Sequence, residues 1–197
     1  MELVPAALTS VAPAGVGDRV CLDLVQLLRT GEGVLVGSSA KLLALVHAET
    51  LETGFVPARP FRVNAGPVHA YVRMADGSTK YLSEVRAGDQ VLVVGPRPAS
   101  TLTSTAETPQ SWPVRAVTVG RCKIEPRPLL MVSFDAGGAE GQLFLQQAET
   151  VRLVSGDGGG GGAVSVTNLG QGDVVLVQRS ARGTHVGRAI SARVTEL

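Results

Sequence analysis

The side chains able to do chemistry in this 197-residue sequence are gathered in a few short stretches. His47 and Glu49 stand two apart in Leu45-Val46-His47-Ala48-Glu49, so an extended strand would project both from one face, a geometry suited to a metal ion or an acid-base pair. The plainer reading of the two is an exposed pair on a strand edge. The richest stretch carries Arg59, Arg62, Asn64, His69 and Tyr71, stiffened by Pro60 and Pro67, with Gly66 admitting close approach of a ligand. Arg62, Asn64 and His69 could line one face, where Arg clamps a carboxylate bidentately and Asn orients a hydroxyl or amide. The same groups could equally satisfy the corners of a β structure. In Arg121-Cys122-Lys123-Ile124-Glu125 alternation turns Lys123 and Glu125 the same way, either as a carbonyl-polarising cation with its base or as a solvent-facing ion pair. Cys21, in Arg19-Val20-Cys21-Leu22-Asp23, is read as buried packing.

Other chemistries are excluded by what is missing. The sequence has no Gly-x-Gly-x-x-Gly after a strand, no P-loop, no His-Glu-x-x-His and no Gly-x-Ser-x-Gly. Lys plus Arg total 18 against 17 for Asp plus Glu, and aromatics are 4%, which leaves neither the charge nor the stacking platforms of a nucleic-acid binder. No apolar run approaches the roughly 20 residues of a membrane span, and Met1-Glu2-Leu3 opens with an acid where a targeting peptide carries bases. The expected location is cytoplasmic, or a plastid for a chain whose transit peptide was lost with a longer amino-terminal portion. Cys21 and Cys122, with no Cys-x-x-Cys, build neither a disulfide framework nor a zinc ribbon and are read as reduced and buried.

The elements that must position these residues are strands. Gly 24 and Pro 11 penalise helix interiors, and Val is the commonest residue. Arg19 to Leu28 and Ser38 to Glu52 have apolar residues at helical spacing, yet suit strands or a single helical turn as well. An internal repeat organises the chain. Leu28-Arg-Thr-Gly31-Glu32-Gly-Val34-Leu35-Val36 is echoed by Val85-Arg-Ala-Gly88-Asp89-Gln-Val91-Leu92-Val93 and by Leu169-Gly-Gln-Gly172-Asp173-Val-Val175-Leu176-Val177. In each, Gly takes a positive φ and the acid bonds turn amides before a strand. A second echo joins Ala48-Glu49-Thr50-Leu51 with Ala148-Glu149-Thr150-Val151, and Asn64-Ala65-Gly66-Pro67-Val68 holds the same place in the middle copy. The expected fold is mainly β: three related small β-barrel-like modules with short helical turns, bounded at 1–60, 61–145 and 146–197. Strands are expected near 34–36, 68–74, 91–94, 129–134, 151–154 and 174–178. Gly95 to Pro113 reads as an inserted loop in the second module, Gly158 to Gly162 as a flexible expansion, and Asp76-Gly77 as a type I′ hairpin turn.

Pro60-Phe-Arg-Val-Asn-Ala-Gly-Pro-Val-His-Ala-Tyr-Val72, Gly17-Asp-Arg-Val-Cys-Leu-Asp-Leu24, Gly31-Glu-Gly-Val-Leu-Val-Gly-Ser38 and Gln147-Ala-Glu-Thr-Val-Arg-Leu-Val154 together resemble the archaeal-type, or type II, 3-dehydroquinate synthases. The similarity is collinear along almost the whole chain and matches the carboxy-terminal portion of a longer family. The resemblance implies NAD-dependent oxidative deamination of a 2-amino-3,7-dideoxy-heptulosonate and cyclisation to 3-dehydroquinate, on the route to chorismate and aromatic amino acids. That chemistry asks for a base near the amine, for which His47 or His69 is expected, and a cation for the substrate carboxylate, for which Arg59 and Arg62 are expected. Ring closure asks for a polarised carbonyl and a proton acceptor, roles expected of Lys123 with Glu125 or Glu49. The resemblance also implies NAD, at residues the sequence does not identify, and a divalent ion with His47, Glu49 and His69 as its ligands. The expected partners are a small-molecule substrate and an amino-terminal domain or separate chain, with no nucleic acid and no membrane. The alternative is a non-catalytic or partner-dependent β-barrel domain of the same descent.

Overall fold

In the computed structural model, residues 1–54, 56–97, 111–156 and 162–180 are described, together with the backbone of 183–185 and 188–190. The strands are β1 (Val4–Leu24), β2 (Gly33–Ser39), β3 (Leu42–His47), β4 (Arg62–Pro67), β5 (Tyr71–Arg73), β6 (Thr79–Tyr81) and β7 (Gln90–Val94). They continue with β8 (Val114–Asp135), β9 (Glu140–Gln146), β10 (Arg152–Val154), β11 (Ala163–Ser165), β12 (Val174–Arg179), β13 (Gly183–His185) and β14 (Arg188–Ile190). The only helical element among the described residues is the single 3-10 turn Leu82–Glu84. No helix among them is long and apolar enough to cross a membrane.

Twelve strands form one antiparallel sheet in the order β11-β10-β3-β12-β1-β8-β7-β2-β5-β6, with β4 also on β1 and β9 also on β8. Because β2 pairs with β3 as well as with β7, the path β2-β3-β12-β1-β8-β7 closes on itself. Strands from all three sequence segments interleave in that circuit. Its interior is filled by Val, Leu and Ala side chains such as Val20, Leu22, Val34, Val46, Val117 and Val177. A smaller cluster built on Leu35, Leu43, Leu45 and Trp112 covers the other face of β2 and β3. These strands are therefore buried on both faces, which is why Leu42 to Val46 is continuously apolar and its periodicity could not separate helix from strand. Arg19 to Leu28 likewise is no helix: its first half is the end of β1, with Val20, Leu22 and Leu24 in the core.

The three repeated turns share one construction. Gly31, Gly88 and Gly172 have φ of 86°, 95° and 92°. The amides of Arg29, Arg86 and Gly170 each donate to the acid three residues on, Glu32, Asp89 and Asp173, at 2.8 Å.

Three expectations need correction. The expected strand 68–74 is β5 alone, because Ala70 N–H donates to Pro67 O at 3.0 Å and turns residues 67–70 between β4 and β5. The Asp76-Gly77 hairpin is present, but as a three-residue loop in which Met74 N–H donates to Ser78 O and Gly77 alone is left-handed, φ 85°. Cys122 is half-buried rather than buried, its Sγ donating to Val85 O, while Cys21 is buried and both are free. The inserted loop leaves and returns at one point, where Gly95 N–H donates to Pro113 O at 2.9 Å. Residues 98–110 of that loop and 158–161 of the glycine tract lie outside the described residues.

These turns make a stability prediction. A Cβ on Gly88 would meet no atom within 4 Å, so Gly88→Ala should cost only its left-handed backbone, about 1 kcal/mol. A Cβ on Gly33 would sit 2.1 Å from Val46 O, so Gly33→Ala should cost about 3 kcal/mol. Urea melts of the two variants check both, and equal midpoints would overturn the assignment.

Candidate functional site

The site grows from the pleat of β1 where it is flanked by β4 and β8. Cys21 is registered with Asn64 and Lys123, Asp23 with Arg62 and Arg121, and Arg19 with Glu125. Alternation sends Val20, Leu22, Val63 and Ala65 into the core and the polar residues to the opposite face. A register shift between Val20 and Cys21, opposite the positive-φ Gly66, re-aims Asn64 beside Cys21. The wall is completed by Gln146 at the end of β9, the 148–150 segment, and the loop carrying Glu49 and Arg59. The result is a polar cleft of about 380 Å³.

Its electrostatics are set by a few buried charges. Asp23 accepts from Arg62 Nε at 2.7 Å and from the second Arg62 nitrogen at 2.9 Å, and also from Arg121. Burial pushes the Asp23 carboxyl upward, but the Arg62 and Arg121 hydrogen bonds outweigh it and hold the group below the usual carboxylate range. Glu49 is 3% exposed, and burial raises its carboxyl above the ordinary value although Arg59 lies 3.3 Å away. Glu125 takes contacts from Arg19 at 2.8 Å, Lys123 at 3.2 Å and Arg127 at 3.3 Å, and the Lys123 hydrogen bond leads in lowering its carboxyl. Cys21 Sγ accepts from Arg19, and burial raises its thiol despite that cation. Asn64 Nδ2 donates to Gln146 Oε1 at 2.9 Å, while Asn64 Oδ1 and Arg19 Nε are buried without a partner.

Glu49, Arg59, Arg62, Asn64, Lys123 and Glu125 thus line one cleft. His47 and His69 do not. His47 ends β3, with Ala48 N–H still donating to Glu32 O, whereas Glu49 N–H donates to Arg62 O; Glu49 lines the cleft and His47 does not. His47 Nε2 instead accepts the Gly31 amide at 2.9 Å, locking the first repeated turn from a side chain that is 1% exposed. His69 is exposed, its ring edge on Phe144 with centroids 5.5 Å apart. Tyr71 stacks on Tyr81. The ligand set His47, Glu49 and His69 is therefore not assembled, and no group of three His, Cys, Asp or Glu among the described residues could hold a metal ion. Among the described residues there is no glycine-rich turn at a helix N-terminus of the kind that seats a dinucleotide pyrophosphate; the one helical element described is Leu82–Glu84.

Arg19, Gln146, Glu149 and Arg127 also line the cleft and were not singled out in the sequence. The signal available for Arg19 was the alternation Arg19-x-Cys21-x-Asp23 against Val20-x-Leu22-x-Leu24. Gln146 and Arg127 reach the site through strand register, which no local pattern encodes.

Comparison with known proteins agrees with the resemblance. Residues 5–197 match the family described as the 3-dehydroquinate synthase II C-terminal domain. The chain belongs to that family. It is similar to 3-dehydroquinate synthase of Methanoregula boonei, 45% identical over 197 residues that cover 100% of this chain and 55% of the relative. The enzyme of Methanothermobacter thermautotrophicus is 45% identical over 99% of the chain and 48% of its own length, and that of Methanopyrus kandleri 43% over 99% and 45%. The chain thus spans about half the length of the curated relatives it matches. No solved structure matches it.

The role found for His47 predicts a pH effect. Burial lowers its imidazole to about 4, against about 6.5 for an unfolded His. The folded state is fully favoured above pH 6.5 and loses this contribution as pH falls toward 4, because the unfolded chain takes up the proton first. The loss should be about 3 kcal/mol across that window. His47→Gln keeps an acceptor for Gly31 and should flatten the difference between denaturation curves at pH 7 and pH 4.5; parallel losses in both proteins would remove His47 from the turn.

Proposed function

We propose that the cleft on β1, β4 and β8 is the substrate-binding part of a type II 3-dehydroquinate synthase site. The proposed reaction is oxidative deamination of a 2-amino-3,7-dideoxy-heptulosonate with NAD, then cyclisation to 3-dehydroquinate for aromatic amino acid biosynthesis. The observation carrying this reading is the gathering of six acid, base and amide side chains in one cleft of a chain that belongs to that family. Glu49 is the proposed base: a carboxylate raised by burial accepts a proton more readily near neutrality than an ordinary one. Arg59 beside it keeps the carboxylate charged between turnovers. Lys123, next to Glu125, is the proposed donor to the carbonyl oxygen during ring closure. Arg62 is steadied by Asp23 with one nitrogen left for the substrate. We assign the NAD seat to the part of the longer relatives that this chain does not span. The closed strand circuit with its threefold turn supports a reading as barrel-like modules of common origin.

The half-length match also favours a second reading, a domain that is inert without its partner segment. Reduced cofactor followed in the near ultraviolet separates them. The chain alone with the amino-heptulosonate and NAD should turn over little, and adding the amino-terminal portion of the Methanoregula boonei relative should restore turnover. In the restored enzyme Glu49→Gln should lower kcat by about 10²–10⁴. The acid limb of kcat/KM should lie above the ordinary carboxylate value and disappear in that variant. Full activity of the chain alone would refute the incompleteness, and failure of every combination would leave only a non-catalytic domain.

A further inference from the structure

The cleft holds two buried polar atoms without partners, and they ask for opposite things. Arg19 is 4% exposed; its two terminal nitrogens are engaged by Cys21 Sγ and Glu125 Oε2, but Nε–H has no acceptor. Asn64 is also 4% exposed; Nδ2 is taken by Gln146, and Oδ1 has no donor. A buried donor or acceptor left unmade is costly, so both atoms point to a ligand. Arg19 Nε requires an acceptor, and Asn64 Oδ1 requires an O–H or N–H.

The charges decide which acceptor. Glu125 is shared by Arg19, Lys123 and Arg127, and the lining as a whole sets Arg19, Arg59, Arg62, Lys123 and Arg127 against Glu49, Glu125 and Glu149, so cations are in excess and the acceptor that Arg19 calls for is an anion. Arg62, the more obvious clamp, has already given Nε and one terminal nitrogen to Asp23. Cys21 lies opposite Asn64 and two residues from Arg19, so Arg19 and Asn64 sit one diagonal step apart on neighbouring strands. At about 7–8 Å between such positions, a single small molecule reaches both side chains.

We propose that Arg19 is the carboxylate anchor of this cleft and Asn64 the acceptor for a hydroxyl of the same molecule, so that the ligand class is a polyhydroxy carboxylic acid. The assignment deepens the substrate reading above and rests on it for the identity of the natural ligand. It moves the carboxylate contact from Arg59 and Arg62 to a residue behind them.

The test uses the unmodified chain with ¹⁵N-labelled arginine. Quinate, a cyclic polyhydroxy carboxylate, is titrated while the arginine Nε–H signals are followed, with quinate methyl ester and inorganic phosphate as controls. Quinate should shift the Arg19 signal most, and the ester should bind about tenfold or more weakly. Arg19→Gln should lose about 10- to 100-fold in quinate affinity by calorimetry. Asn64→Leu should weaken quinate but not phosphate. A shift confined to Arg59 or Arg62 would overturn the anchor while leaving the substrate reading intact. Phosphate matching quinate at Arg19 would overturn the hydroxy-acid class, and no shift with any probe would overturn the site. Arg19-centred quinate binding in a complemented protein without turnover would uphold the anchor and refute the enzyme reading.

Discussion

The structure depends on one constraint: residues 19–24 of β1 are paired along both edges, by β4 and β8, and are buried throughout, so both faces of the strand must be satisfied within the protein. One face is met by apolar packing of Val20, Leu22 and Leu24. The other cannot be, because Arg19 and Asp23 are charged, and an unpaired charge there would cost several kcal/mol. Asp23 is answered twice, by Arg62 across one strand and Arg121 across the other. Arg19 is answered only by Glu125, which is itself shared. The strand is thus electrostatically closed at one end and open at the other, and the open end is where the cleft lies.

That asymmetry separates what holds the fold from what is free to act. The Asp23 cluster and the Glu32–Arg115 pair, at 2.8 Å, tie together strands distant in sequence and lower their carboxyls despite burial. Their value is in fixing register, since replacing a satisfied buried pair with apolar groups is often neutral for stability. Glu49 is the opposite case: buried, raised, and met by one partly exposed arginine at 3.3 Å. Two carboxylates in one molecule are pushed in different directions by their surroundings, which is the pattern expected where one is structural and the other handles protons.

The sequence made the turns legible because their chemistry is local. A Gly with positive φ and an acid bonding the amide three residues back leave their mark within five residues. The pairing of Lys123 with Glu125 and the shared face of Arg62 with Asn64 were legible for the same reason, being set by strand alternation alone. That His47 lies outside the cleft was not legible, because its imidazole is engaged by the Gly31 amide across the β2–β3 pair, a contact that no spacing of residues announces. Arg127 and Gln146 were invisible because they reach the cleft through pairings between β1, β8 and β9, and register over such separations is written in the whole core rather than in any segment.

The second echo gains a physical sense from this arrangement. Aligned on their alanine, His47-Ala48-Glu49-Thr50-Leu51, Asn64-Ala65-Gly66-Pro67-Val68 and Gln147-Ala148-Glu149-Thr150-Val151 put Gly66 where the other two strings carry Glu49 and Glu149, and both of those carboxylates line the one cleft. Residues from all three strings meet at the one cleft, so it is reached from three separate stretches of the sequence. Identical residues there would place like charges together, which a small partly buried site does not tolerate. Glycine in the middle string leaves two carboxylates rather than three, and exposure of Glu149 against burial of Glu49 lets those two differ. The cleft is thereby asymmetric, with a buried carboxylate at Glu49, an exposed one at Glu149, an amide at Asn64 and the cations of β1 and β8 beside them, which is the directionality the proposed site requires.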